Sequence, residues 1–222
     1  MDLYDMLEDE LELEQLDHEQ ALISKKKKRT VFSVDREFIN SKAYHDKFEK
    51  LPISKEMQEI VYLETGKLLE FVDGLPEEEM EQERLTAISA RNGKLIVNNF
   101  NRPGNIYKTG FSDKEMKRFL DYDGNAILIH NHSHDGIPSG TDIKTYYEVE
   151  KIKLSIIACH NGDVYAIYWV RDKFVTKYNE ILEIEKTKTT DIMIAKRRTT
   201  TQMYELNNSL SDRHKYFRVE KL

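Results

Sequence analysis

The sequence predicts a mixed α/β domain that follows a helical segment and a charged N-terminal tail. Over residues 81–171, short apolar runs intermingle with amphipathic stretches, which is typical of a sheet flanked by helices. Residues 36–80 instead repeat apolar side chains at helical spacing, and residues 1–35 are dominated by charge. We therefore expect a disordered tail over 1–35, a helical extension over 36–80, the main domain over 81–171, and a C-terminal helix with a flexible tail over 172–222.

Composition limits the class of protein. The 222 residues are 39% hydrophobic and 33% charged, and no run of about 18 apolar residues is present, so we expect no membrane span. The single cysteine, Cys159, excludes an intramolecular disulfide and an all-thiolate zinc site. The acidic first residues do not match a secretory signal. Together these features predict a cytoplasmic protein. A net charge of −6 disfavours nucleic acid as a general partner.

The tail divides into two blocks of opposite charge. Residues 1–20 are rich in carboxylates, with Leu3, Leu7 and Leu11 at helical spacing, and residues 25–29 are all basic. We interpret this segment as disordered, with its two blocks attracting each other. The alternative is a docking arm whose basic run contacts a nucleic acid or another acidic surface.

Local signals place the first helices and strands. Pro52 and Ser54 open a helix with an apolar face, and Asp73–Gly74 ends it. The turn at residues 91–93 predicts a β-hairpin, because Asn-Gly suits the tight turn between two strands. Ser112 and Glu115 occupy capping-box positions, so a helix should follow Ser112.

The same signals continue towards residue 171. Residues 126–130 form a short apolar strand, and residues 143–152 suit a helix. Residues 154–170 then read as a strand, an Asn-Gly turn and a second strand. Within that stretch we expect Cys159 to pack in the core, and His160 and Asp163 to flank the turn.

A histidine cluster follows the apolar strand at residues 126–130. His130 and His132 are two residues apart at the strand end, so both rings should lie on one face. Ser139 and Asp142 are three apart at the start of a predicted helix and share a face as well. Alone, His-x-His is more often a surface loop and Ser-x-x-Asp more often a helix cap. Together they favour a metal site, since two histidines, one carboxylate and an open fourth position hold catalytic zinc.

This pattern resembles the motif of the JAMM, or MPN-type (JAB-domain), zinc metalloproteases, which is His-x-His, a short loop and Ser-x-x-Asp. Here it is His130-Asn131-His132 followed by Ser139-Gly140-Thr141-Asp142, with Ser133 where the family usually has proline. The His-Asn-His form looks like the bacterial RadC-type branch. Residues 39–170 look closer to JAB-like domains associated with bacteriophage minor capsid and head-morphogenesis proteins. The resemblance implies a cytidine-deaminase-like MPN fold and a Zn²⁺ ion held by His130, His132 and Asp142.

The resemblance also implies a glutamate on an earlier strand that acts on the water of the zinc ion. Position by position that role falls on Glu83, with Glu81 as the alternative. Both could instead belong to the acidic run at 77–83 and face solvent. Zinc lowers the pKa of its water from about 15.7 to about 7, and a carboxylate can take and return that proton. The resemblance assigns the stabilisation of the developing oxyanion to the Ser139 hydroxyl.

We therefore expect a zinc-dependent peptidase or isopeptidase of phage or prophage origin. Its substrate would be a protein or peptide, its candidate partners phage capsid or portal proteins, and its location the bacterial host cytosol or the virion. The alternative is a non-catalytic head-morphogenesis or minor capsid scaffold that keeps the metal motif for stability. A third interpretation, a nucleic-acid-processing protein, is disfavoured by the net acidity.

Overall fold

The computed structural model describes residues 33–76, 79–101, 110–133 and 136–222. These residues form a mixed α/β fold in which one six-stranded mixed sheet is flanked by helices, which confirms the predicted class. Almost all of the charged tail expected over residues 1–35 lies outside the described residues. Among the helices of the described ranges, none combines the length and hydropathy that a membrane span requires.

The first part of the described chain is helical, as its periodicity predicts. It contains α1 (Arg36–Ile39), α2 (Lys42–Phe48) and α3 (Lys55–Asp73). Each helix begins at a residue whose side-chain oxygen accepts a backbone N–H, namely Asp35, Ser41 and Ser54. These caps explain why the chain turns twice within twenty residues and then continues as one long helix that ends at Gly74.

The sheet places its strands in the order β2-β1-β3-β4-β5-β6. The strands are β1 (Leu85–Ser89), β2 (Leu95–Asn98), β3 (Ala126–His132), β4 (Ile152–Cys159), β5 (Val164–Val170) and β6 (Phe217–Lys221). Only β3 and β4 are parallel neighbours, and the chain crosses between them through α5 (Gly140–Glu148). The carboxyl end of β3 therefore lies where the crossover helix begins, a position at which α/β proteins commonly bind ligands.

Helices cover both faces of the sheet. On one face, α1–α3 pack against Ile129 and Ile156. On the other, α4 (Asp113–Asp121) packs near β1, while α5, α6 (Lys173–Lys186) and α7 (Ile192–Ser209) pack over β4 and β5. Because side chains alternate along a strand, Ile129 and Asn131 face α1–α3, whereas His130 and His132 face α5–α7.

Several local predictions are confirmed. The hairpin turn lies between β1 and β2, with Gly93 at a φ of 68°, and the turn between β4 and β5 has Gly162 at a φ of 85°. Both angles lie in the left-handed region that glycine adopts without strain. Ser112 and Glu115 form the expected capping box at the start of α4. Cys159 is buried in the core, as expected.

The C-terminal region differs from the expectation of one helix and a flexible tail. It contains α6, α7 and a sixth strand, β6, which pairs with β5. The buried face of α7 consists of Ala195, Thr199, Thr200, Met203 and Asn207. Most of these side chains are small or polar, so they give no clear apolar period in the sequence. Asn207 joins α7 to β6, since its side chain accepts the N–H of Tyr216 and donates to the carbonyl of Phe217.

Candidate metal centre

Three side chains meet at the carboxyl end of β3. The Nε2 atoms of His130 and His132 lie 3.2 Å apart, and the carboxylate of Asp142 lies 3.4 Å from the first and 3.6 Å from the second. A tetrahedral zinc ion with bonds of about 2.0–2.1 Å separates its ligand atoms by about 3.3–3.4 Å. The distance between the two histidine nitrogens is close to that value. The two carboxylate distances end on different oxygens, Oδ1 beside His130 and Oδ2 beside His132. The structure brings together the three residues that the sequence analysis selected as ligands, with one potential ligand atom of each within 4.8 Å of the others.

The orientation of His132 suits a metal ligand. Its Nδ1 lies 3.2 Å from the carbonyl oxygen of Gly136, which can only accept a hydrogen bond. Nδ1 therefore carries a proton, which leaves Nε2, on the side of His130 and Asp142, as the nitrogen that can offer a lone pair to a metal ion. Because His130 and His132 are each only 4% exposed, water contributes little to pairing these nitrogens. A buried set of lone pairs that converge in this way favours a cation among them.

In the metal-free protein, a proton on His132 supplies the positive charge beside Asp142. Burial lowers the pKa of His132, but its hydrogen bond to Asp142 and the charges of Asp142 and Glu83 outweigh that effect and raise the pKa to about 9. Burial raises the pKa of Asp142, but the charges and hydrogen bonds of His130 and His132 outweigh burial and hold the pKa well below its usual range. The metal-free centre is thus a buried ion pair between Asp142 and His132 at neutral pH.

Ser139 and Asp142 form a helix cap and belong to the centre as well. The Ser139 hydroxyl oxygen accepts the N–H of Asp142 at 3.1 Å, and the Asp142 carboxylate accepts the N–H of Ser139 at 2.7 Å. This reciprocal capping box fixes the first turn of α5. The two interpretations of Ser-x-x-Asp are therefore compatible, because the cap itself holds the Asp142 carboxylate against the histidines.

Glu83 lies beside the three residues. Its carboxylate is 3.7 Å from His132 Nε2, and its side chain is 18% exposed. The position follows from the antiparallel register, in which Leu85 lies opposite His130, so that two residues further along Glu83 lies opposite His132. Glu81 is half-buried two positions earlier. The structure thus places Glu83, one of the two glutamates that the sequence analysis proposed, within 4 Å of a potential ligand.

The C-terminal helices support the loop that precedes α5. Thr200 accepts the N–H of Gly140 at 3.0 Å, and the Tyr204 hydroxyl donates to the carbonyl of Pro138 at 3.1 Å. Gly140 also packs directly on the ring of Tyr178, where a Cβ atom would lie 2.0 Å from a ring carbon. Sequence reasoning did not assign these residues to the site, because they lie far along the chain in a region expected to be mostly tail.

His160 is a further supporting residue that the sequence analysis assigned only to a turn. It is fully buried, and its ring contacts the side chain of Asn131, the residue between the two histidines of the motif. No local signal in the sequence marks this contact, since residue 131 lies in β3 and residue 160 directly follows the neighbouring strand β4. The position of Asp163 agrees with the prediction, because its N–H donates to the Asn161 side chain within the turn.

A second group of potential ligands occurs within the described ranges. His45, Asp46 and Glu49 could also offer ligand atoms to one ion. They lie at the surface, however, and they have other partners: His45 contacts Glu59 at 2.7 Å, and Asp46 accepts two hydrogen bonds from Lys42. Ordinary surface ion pairs explain this group, and it lacks the burial of the group at His130.

No family model matches the chain, and comparisons with curated proteins and with solved structures return no match. The geometry of the residues themselves is therefore what supports a function for this site.

Proposed function

We propose that this chain is a zinc-dependent peptidase or isopeptidase of the JAMM type, built on the MPN (JAB) form of the mixed α/β fold. One observation carries the proposal: His130, His132 and Asp142 converge within 3.2–3.6 Å of one another, and the carboxylate of Glu83 lies 3.7 Å from His132. Metal-assisted hydrolysis uses three protein ligands for the metal and a separate carboxylate nearby, and this is the arrangement found here.

The residues present fit a zinc ion. His130 and His132 would each bind through Nε2 and Asp142 through its carboxylate, while Gly136 holds the His132 ring in its orientation. When bound, zinc supplies Lewis acidity that polarises the scissile carbonyl and generates a nucleophile from water at neutral pH. Three protein ligands leave one position for water or substrate, which distinguishes such a centre from a closed structural zinc site.

The remaining steps fall to side chains of this chain. Glu83 is the proposed general base: its carboxylate would take a proton from the attacking water and return it to the leaving amine. Ser139 is the proposed oxyanion stabiliser. Its hydroxyl oxygen uses a lone pair to cap α5, so its O–H can donate to the negative oxygen that develops on the substrate.

The proposed substrate is a protein or peptide, because the resemblance over residues 39–170 is to peptidase domains. On the basis of the same resemblance, we propose phage capsid or portal proteins as partners and the bacterial host cytosol or the virion as the location. The competing proposal is a scaffold that keeps the metal motif for stability. A scaffold of this kind would not need the Glu83 carboxylate.

A comparison of wild type with Glu83→Gln tests the proposal. We expect both proteins to bind about one zinc ion per chain, measured by elemental analysis. A pool of fluorogenic peptides with α-amide and lysine-linked isopeptide bonds serves as the probe. The rate of cleavage should fall by roughly 10²–10⁴-fold in Glu83→Gln, the range for loss of general acid–base assistance. Bound zinc with no cleavage by either protein would favour the scaffold, and absence of zinc from both would overturn the site.

A further inference from the structure

The side chain of Asn131 holds the backbone on both sides of Glu83. Its Oδ1 accepts the N–H of Arg84 at 2.6 Å, and its Nδ2 donates to the carbonyl of Gln82 at 3.3 Å. Glu83 is the residue between these two. Beyond the pair of Leu85 and His130, the Asn131 N–H donates to the carbonyl of Arg84 at 3.3 Å, and the Asn131 side chain adds two further bonds to this pairing.

The hydrogen-bonding chemistry fixes the orientation of this amide. A backbone N–H can only donate, so the atom that faces Arg84 is the oxygen of Asn131. The Nδ2 group then has two hydrogens, of which one points to Gln82 and the other to His160. The ring Nε2 of His160 lies 2.9 Å from Nδ2 and must accept, which places the ring proton of His160 on Nδ1.

His160 is itself held by its backbone. Its N–H donates to the carbonyl of His132 at 3.1 Å, and its carbonyl accepts the N–H of Asp35 at 3.0 Å. The turn that follows is fixed by Lys47, which donates to the carbonyl of Gly162 at 3.0 Å. Residues from the helical N-terminal region thus hold the segment from which His160 reaches Asn131.

Because the contact between Asn131 and His160 is buried, its loss would cost stability. Asn131 and His160 are both fully buried, so a hydrogen of Nδ2 that loses its acceptor cannot turn to water instead. An unpaired buried donor costs free energy, and the amide would move to find another partner. Such a movement would weaken the hydrogen bonds from Asn131 to the backbone of residues 82 and 84. The backbone of Glu83 would then be less well fixed, and so would its side chain.

We propose that His160 is a positioning residue, which fixes the Asn131 side chain and through it the backbone that carries Glu83. It acts through Asn131, whose side chain lies on the face of the sheet opposite to that of His130 and His132. The effect on the backbone stands on the described contacts alone, whereas its consequence for a metal centre rests on the proposed function.

Two matched substitutions test this role. His160→Gln places an amide oxygen near the former Nε2 and can still accept from Asn131. His160→Asn is one carbon shorter and places its amide near the former Nδ1, out of reach of Asn131. Both are uncharged amides, so they differ mainly in this one hydrogen bond. His160→Phe, which has a ring but no acceptor, provides a second loss variant if His160→Asn does not fold.

The first readout is hydrogen exchange of the Arg84 amide in metal-free protein. We expect exchange to accelerate by roughly two- to tenfold in His160→Asn or His160→Phe, the factor for one buried hydrogen bond. It should stay near wild type in His160→Gln. The amide of Ile156, in the middle of β4, is the internal control and should not respond selectively. Equal Arg84 exchange in all folded variants would overturn the proposal, and so would equal acceleration in the Gln and Asn variants.

The second readout uses protein loaded with Co²⁺, whose visible absorption responds to the surroundings of the ion without any substrate. The absorption is followed as a function of pH, and the midpoint of that change is compared between variants. The pH midpoint in His160→Asn should move in the same direction as in Glu83→Gln, while His160→Gln keeps the wild-type midpoint. A changed Arg84 exchange with an unchanged Co²⁺ midpoint would overturn the link to the centre. Failure of wild type to bind Co²⁺ would count against the proposed function, and the exchange readout would still decide the role of His160.

Discussion

The Nε2 atoms of His130 and His132 face each other at 3.2 Å. If neither nitrogen carried a proton, both would direct lone pairs into the same small space. A proton or a metal ion between them removes the conflict.

Replacement of His132 by alanine should abolish metal binding. We expect wild type to bind about one zinc ion per chain and to melt at lower temperature after chelation, since an ion that binds only the folded state stabilises it. That stabilisation amounts to about 2.7 kcal/mol when free zinc is 100 times Kd. His45→Ala, in the exposed second group, is the matched control and should keep both properties. A wild-type protein that lacks zinc and melts identically with chelator would contradict this prediction.

The stability of the metal-free protein should depend on pH through His132. Its pKa is raised in the folded state to about 9 from an ordinary value of 6.5. A raised folded-state pKa contributes stability that is fully present below about 6.5 and is lost as pH rises through about 9. We therefore expect the free energy of unfolding, measured in urea, to fall between these pH values. His132→Ala should remove this dependence.

Zinc should suppress the same dependence, because the metal needs the neutral imidazole and displaces its proton. Zinc uptake at pH 8 should therefore release about one proton from His132 in addition to the proton lost by a zinc-bound water, measurable with a pH indicator in weak buffer. Uptake without any proton release would show that His132 is not protonated in the metal-free protein.

The two candidate glutamates should behave differently. Glu83→Gln should retain zinc and reduce peptide cleavage by roughly 10²–10⁴-fold, whereas Glu81→Gln should change the rate far less. The reason is position: the Glu83 carboxylate lies 3.7 Å from His132 Nε2. Rates and zinc content of the two single variants and the double variant provide the measurement. The reverse order of rates would assign the base to Glu81.

Two glycines provide a matched test of the support behind α5. Gly140→Ala would place a Cβ atom 2.0 Å from a ring carbon of Tyr178, so the helix start or the ring must move. We expect a loss of about 1–3 kcal/mol in stability and weaker zinc binding, because Asp142 lies on that first turn. Gly66→Ala meets nothing within 4 Å inside α3 and should stabilise the protein by about 0.5–1 kcal/mol. Chemical denaturation of both variants, with zinc titration, checks the contrast.

The parts of the site that sequence could predict are those with local signals. Strand alternation put His130 and His132 on one face, and cap chemistry placed Ser139 and Asp142 at a helix start, because both effects act over two to four residues. The supports of the site were not predictable in this way. Thr200 and Tyr204 belong to a helix whose buried face is too polar to show a clear period. His160 matters through a contact with Asn131 across 29 positions, and only the strand order reveals it.

The supports from α7 also have a consequence for how the protein is made. Thr200 and Tyr204 are separated from Gly140 and Pro138 by 60 and 66 positions. Because ribosomes build the chain from its N-terminus, the nascent polypeptide contains His130, His132 and Asp142 well before it contains α7. During that interval the turn before α5 has none of these supports. Completion of the site is therefore a late event in biosynthesis, and translation and site assembly are separated in time.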